Sequence, residues 1–308
     1  LVGSEMCIRD SNYYVACRIF FKFLHVFYFF NTLKTHYQKL RTMNSFLHIG
    51  ILQTDIVWEN VSQNLANYAK KLQAFAGLDE LDIIVLPEMF TTGFTMQPKK
   101  VAENMNGQTM QWLAEWSKRL NVAIIGSFVV SEVGQYFNRL VCMRPDGNYD
   151  TYDKKHLFRM GNEHKAYQAG DERLVVEYKG WKICPLICYD LRFPVFSRNI
   201  EDGKPAYDCL IYVANWPQVR NYAWEHLLIG RAIENQAYTI GVNRVGEDGK
   251  GKAYSGDSLV LNFRGEKVWQ GAADTETMIL VSLSKEKMQE YRREFPAYLD
   301  ADSFHIIS

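Results

Sequence analysis

Apolar residues run together over His48–Gln53, recur at helical spacing as Val61, Leu65, Tyr68, Leu72 and Phe75, and run together again over Leu81–Leu86. Two buried strands joined by an amphipathic helix make a βαβ opening, and that unit commits the chain to a sheet with helices against it. The alternation continues. A second helix is expected near Met110–Leu120, with Met110, Leu113, Trp116 and Leu120 on one face, followed by strands Val122–Val130 and Tyr136–Met143 and a Pro145-Asp146-Gly147 turn. Later come strand Cys209–Val213, helix Trp224–Asn235, strand Ala237–Asn243, a hairpin around Phe263-Arg264-Gly265, strand Met278–Ser282 and helix Ser284–Phe295. No long linker or low-complexity stretch interrupts them. The expectation is one α/β domain over 43–308, two layers of sheet covered by helices on both sides, with a tail from about residue 296.

A chain of 308 residues with 47% hydrophobic content is long enough to bury such a core. Thirty-five basic residues balance 35 acidic ones, so nothing global points to nucleic acid or a membrane surface, and a small molecule is the expected partner. The six cysteines form no C-x-x-C pair, and Cys184 and Cys188 on one strand would lie about 13 Å apart, too far to bridge or to share a metal. Reduced thiols in the cytoplasm are expected. The first 42 residues read differently. Tyr13–Phe30 is rich in aromatic residues, yet Arg18, Lys22 and His25 interrupt it, leaving no span of about 20 apolar residues. The opening LVGSEMCIRDS resembles translated sequencing adapter, and Met43 stands just before the first clean strand, so residues 1–42 are read as a non-native or disordered leader.

The stretch ICPLICYDLRFPVFSRN, Ile183–Asn199, carries the most chemistry. Trp181–Ile187 reads as a buried strand and Pro194 suits a helix start, which places Cys188 at the strand's carboxyl end in a tight turn. Such a turn exposes a nucleophile and aims backbone N–H groups at it. The plainer reading is a buried structural thiol.

Three further segments supply partners. Glu88, in LPEMFTTGF, follows a buried strand and taken alone reads as a surface loop acid, but Met89, Phe90, Phe94 and Met96 suggest the apolar setting that suits a general base. In YDKKHLF, Tyr152–Phe158, an extended backbone turns Lys154 and His156 one way and Lys155 the other. His156 keeps a Cys–His pair open as a rival arrangement. In GNEHKAYQAGD, Gly161–Asp171, which by itself reads as a polar loop, Glu163 is placed to orient Lys154 or a substrate amide.

Taken in order, Glu88 in LPEMF, Lys154 two before the His of KHLF, Glu163 seven before Gly170, and Cys188 in CYDLRFP resemble the nitrilase, or carbon-nitrogen hydrolase, superfamily from about Leu47 to Ser282. Asn215-Trp216-Pro217, GRAIENQ (Gly230–Gln236) and GDSLVLNFRG (Gly256–Gly265) look like its later signature segments. Where many members carry Asp-Pro before the hairpin glycine this chain has Asn262-Phe263-Arg264-Gly265, a change expected to alter a turn and not the chemistry. The resemblance implies an αββα sandwich of two mixed sheets that assembles into a homodimer or larger homo-oligomer. It also implies Glu88, Lys154, Cys188 and Glu163 as the catalytic set, and no metal or organic cofactor.

Amide hydrolysis requires a strong nucleophile, a proton shuttle and positive charge near the developing oxyanion, and these residues, with the Tyr189 N–H, supply all three. Metal ligation is disfavoured because the histidines are scattered and no H-E-x-x-H or paired-cysteine pattern appears. Arg192 is placed to clamp a substrate carboxylate, unless it pairs with Asp190. Phe90, Phe94, Tyr189 and Trp216 are expected to narrow the pocket. CYDLRFP together with LFRMGNEHKAYQAG is most similar to the ω-amidase branch, which implies hydrolysis of the terminal amide of 2-oxo acids such as 2-oxoglutaramate and 2-oxosuccinamate. A carbamoyl-amino-acid or deaminated-glutathione amidase, a nitrilase, and a catalytically silent binding module are the alternatives.

Overall fold

The computed structural model describes residues 45–77, 80–302 and 304; the expected leader, residues 1–42, lies outside the described residues. Fourteen strands are described, and four helices of ten residues or more. Strands β1 (Phe46–Gln53), β2 (Ile83–Val85), β3 (Ala123–Glu132), β4 (Gln135–Met143), β5 (Tyr149–Asp153) and β14 (Thr277–Ser284) form one sheet in the order β14-β1-β2-β3-β4-β5. Strands β6 (Val176–Tyr178), β7 (Trp181–Ile187), β8 (Cys209–Ala214), β9 (Tyr238–Asn243), β12 (Leu259–Leu261) and β13 (Lys267–Gln270) form a second, ordered β13-β12-β9-β8-β7-β6. A hairpin of β10 (Val245–Glu247) and β11 (Ala253–Ser255) stands apart. Each sheet is mixed: β1-β2-β3 and β7-β8-β9 run parallel, while β3-β4-β5, β6-β7 and β9-β12-β13 pair antiparallel.

Strand parity explains the layering. Ile49, Ile51, Ile83, Val85, Ala123 and Ile125 turn towards the second sheet and share a core with Ile183, Ile211 and Ile240. Their neighbours Ile84, Leu86 and Ile124 face outward, onto Leu65, Tyr68 and Leu72 of α1 (Val61–Leu72) and Met110, Leu113 and Trp116 of α2 (Gln108–Leu120). Trp224, Leu228 and Ala232 of α3 (Asn221–Asn235) and Met288 of α4 (Lys285–Glu294) belong to the core of the second sheet. The outcome is two mixed sheets flanked by helices, an αββα sandwich. Central strands buried on both faces carry continuous apolar runs, which is why CLIYVA of β8 shows no polar alternation. Truncating one of these fully buried isoleucines to alanine costs about 2–5 kcal/mol.

From Leu47 onward the described chain packs as one compact unit. No helix among the described residues is long and apolar enough to cross a membrane.

Candidate active site

β7 ends at Ile187, and the chain turns at once into one turn of 3-10 helix, Cys188–Arg192, before the short helix Pro194–Ser197. Cys188 takes the left-handed backbone conformation, φ +44°, which costs a non-glycine residue about 1–2 kcal/mol. Asp190, fully buried, holds the turn. Its Oδ2 accepts from the Ile187 N–H at 3.0 Å and the Tyr152 hydroxyl at 2.6 Å, and its Oδ1 from the His156 N–H at 3.0 Å. Tyr189 stands in the first turn, where backbone N–H groups have no intrahelical acceptor and remain able to donate to an incoming oxyanion.

Glu88 follows β2 and is fully buried. Its setting is polar and not the apolar one expected. Lys154 Nζ and Asn138 Nδ2 each donate to Oε1 at 2.8 Å, and the Asn215 N–H donates to Oε2 at 2.8 Å. Because Asn215 follows β8, that last bond ties the carboxyl ends of the two sheets together. Lys154, just beyond β5 and 1% exposed, also donates to Glu163 Oε2 at 3.0 Å and Oε1 at 3.1 Å. Burial alone would lower the lysine's pKa, but the Glu163 and Glu88 carboxylates outweigh it and hold the ammonium above its ordinary value. Burial pushes Glu163 up against the pull of Lys154. Burial, reinforced by Glu88 and opposed by Lys154, pushes the Cys188 thiol well above the usual range, so the resting group is the thiol.

GNEHKAYQAGD is more ordered than a loop. Glu163–Ala166 forms a helical turn, and Glu163 Oε2 accepts from the Phe158 N–H at 2.6 Å. Gly170 closes the segment: its N–H donates to the Lys154 carbonyl at 3.1 Å, and a Cβ there would overlap the Asp153 carbonyl.

Cys188 and Lys154 open onto a narrow recess whose walls include Phe94, Phe158, Trp216 and Tyr254 and whose rim carries the exposed Arg192. Among the described residues no cluster of three or more His, Cys, Asp or Glu is placed to hold a metal ion.

Residues 48–293 match the carbon-nitrogen hydrolase family. The chain belongs to that family. Among its relatives, the ω-amidase YafV of Escherichia coli K12 is 44% identical over 84% of this chain and 98% of that protein, and the 2-oxoglutaramate amidase of Bacillus subtilis is 32% identical over 82% and 96%. Among solved structures, XC1258 of Xanthomonas campestris, a carbon-nitrogen hydrolase superfamily protein with an arsenic adduct in its active site, superposes with a TM-score of 0.82 at 43% identity, covering 85% of this chain and 99% of that one. Saccharomyces cerevisiae Nit3, of the nitrilase superfamily, shares the fold at a TM-score of 0.74 and 22% identity, over 82% and 95% of the two chains.

In this carbon-nitrogen hydrolase the side chains of Glu88, Lys154 and Glu163 meet in one hydrogen-bonded cluster, and Phe94, Cys188, Tyr189, Arg192 and Trp216 line the recess with Lys154. One expectation and two rival readings fail. His156 does not serve Cys188: its Nδ1 lies 2.8 Å from Asp190 Oδ1, and its ring stacks on that of Phe193, with centroids 3.8 Å apart. Phe90 does not narrow the pocket. Met89 takes φ +43°, which breaks the parity, and Phe90 turns into the helix-side core against Tyr68 and Trp112. Nor does Arg192 pair with Asp190; its guanidinium lies over the Trp216 ring, 4.9 Å from the centroid. Sequence reasoning misses Asn138 and Asn215 as supports of Glu88, because they reach it across 50 and 127 residues, and Asp190 as the support of the Cys188 turn, because its Tyr152 and His156 partners lie 38 and 34 residues away.

Proposed function

We propose that the chain is an ω-amidase that hydrolyses the terminal amide of a small 2-oxo acid, 2-oxoglutaramate or 2-oxosuccinamate, to the dicarboxylate and ammonia. The observation that carries this reading is a cysteine on a strained turn, opening with Lys154 onto a small recess whose rim bears Arg192. The likeness to the E. coli ω-amidase supports the substrate class.

In this account Glu88 takes the Sγ proton as sulfur attacks the amide carbon, since a thiol with a raised pKa is not ionised beforehand. Charge gathers on the carbonyl oxygen and is opposed by Lys154 and the Tyr189 N–H. The C–N bond then breaks, Glu88 returns its proton to the leaving nitrogen, and ammonia departs from a thioester. Water next gives a proton to Glu88 and adds to the thioester carbon; the C–S bond breaks and the proton returns to sulfur. Glu163 keeps Lys154 aimed. Arg192 holds the substrate carboxylate, and Phe94 and Trp216 limit chain length.

An ammonia-release assay tests the substrate. It should show 2-oxoglutaramate ahead of glutamine and N-carbamoyl amino acids by at least roughly tenfold in kcat/KM, about 1.4 kcal/mol of discrimination. Carbamoyl amino acids as the better substrates would overturn the assignment. We further place the enzyme in the cytoplasm, as a homo-oligomer. The free thiols Cys142, Cys184, Cys188 and Cys209 support the compartment, and exposed Val219, Tyr222 and Ile233 on and beside α3 support assembly.

A further inference from the structure

Arginines elsewhere in the core are neutralised: Arg139 by Glu132 and Asp153, Arg231 by Glu234, Arg244 by Asp55. The recess is different. Arg192, Arg220 and Lys252 all line it, none has a carboxylate partner among the described residues, and no Asp or Glu is part of the lining. The three come from separate elements. Arg192 ends the turn after Cys188, Arg220 ends the 3-10 turn Gln218–Arg220 that follows β8, and Lys252 stands between β10 and β11.

Each is held in place. The Arg192 guanidinium lies over Trp216, and that of Arg220 over Phe158 at 5.3 Å, contacts that orient a planar cation without neutralising it. The Lys252 backbone is fixed by Asp248, whose Oδ1 accepts from the Lys252 N–H at 3.0 Å and whose Oδ2 accepts from the Tyr254 hydroxyl at 3.0 Å. Three like charges around one opening repel one another, and an entering anion relieves that repulsion.

We propose that Arg220 and Lys252 are specificity-determining residues that, with Arg192, form a three-cation rim selecting amides whose far end is a carboxylate. The proposal rests on the ω-amidase reading and extends it to two residues outside the CYDLRFP turn.

The test compares 2-oxoglutaramate with butyramide, an uncharged short amide, for the wild type, Arg220→Met, Lys252→Met and the surface control Lys118→Met. Each rim variant should raise KM for 2-oxoglutaramate about tenfold, with kcat within about threefold and butyramide turnover unchanged. Arg220→Lys should recover much of the loss, and Lys118→Met should match the wild type. A salt titration of the wild type needs no variant: kcat/KM should fall with ionic strength for 2-oxoglutaramate and stay level for butyramide. If rim variants keep the wild-type KM for the anionic amide, or lose both amides equally, the rim assignment is overturned while the ω-amidase reading stands. A wild type that does not prefer 2-oxoglutaramate to butyramide overturns both.

Discussion

Replacing Asp190 by asparagine preserves the shape of the side chain and removes two acceptor lone-pair sites from a carboxylate that faces four donors. One oxygen receives the Ile187 N–H and the Tyr152 hydroxyl, the other the His156 N–H and His156 Nδ1. Whichever way the amide turns, its NH2 meets one of these pairs. A hydroxyl can rotate and an imidazole can change tautomer, so one member of each pair can become an acceptor; a backbone N–H cannot. The smallest damage is therefore one orphaned, buried backbone N–H, about 1–3 kcal/mol. If the orphan is that of Ile187, the strand end that carries Cys188 in its left-handed conformation loses its tether. Misplacement of the nucleophile by about 1 Å lowers kcat about a hundredfold. Urea unfolding and steady-state ammonia release on the same protein measure both effects. Asp190→Asn should lose about 1–3 kcal/mol and at least about tenfold in kcat, with KM little changed. A variant with wild-type kcat and reduced stability would show that Asp190 supports the fold without positioning Cys188.

Alkaline stability follows from the buried thiols. Burial pushes Cys142 and Cys184 up to about 12. Between the usual thiol value near 9 and that value the native state keeps protons that the unfolded state has released, so stability is full below about pH 9 and falls by up to about 1.4 kcal/mol per pH unit for each thiol above it. Urea midpoints from about pH 8 to about pH 10.5 should show the fall, and Cys142→Ala/Cys184→Ala should make it clearly shallower without abolishing it, because burial also raises Cys188 and Cys209; an unchanged slope would refute the cause. A chain beginning at Met43 should be soluble and as active as the full sequence, measured by ammonia release per folded protein. Insolubility or lost turnover would place part of the first 42 residues in the functional fold.

The layers of the fold are legible in the sequence because central strands buried on both faces write continuous apolar runs, and β7 reads with the bounds it has, Trp181–Ile187. The helices are legible because their buried residues recur at helical spacing. Parity reasoning fails where the backbone stops being extended: the positive φ of Met89 sends Phe90 to the far side of its sheet. The supports of the site are illegible for another reason. Asn215 reaches Glu88 across 127 residues and Tyr152 reaches Asp190 across 38, and no local spacing encodes such contacts. The hairpin that delivers Lys252 and Tyr254 has strands of three residues each, too short to show alternation.

The central claim is that hydrolysis passes through a thioester on Cys188. Rapid mixing with 2-oxoglutaramate, acid quench and peptide mass spectrometry measures it directly. The account predicts one acyl group on the peptide that Cys184 and Cys188 share, localised to Cys188 by fragmentation, removed by mild hydroxylamine, absent from the peptide containing Cys209, and lost together with turnover in Cys188→Ala. Continued ammonia release by Cys188→Ala, or full turnover with no acyl adduct under any quench time, would contradict it.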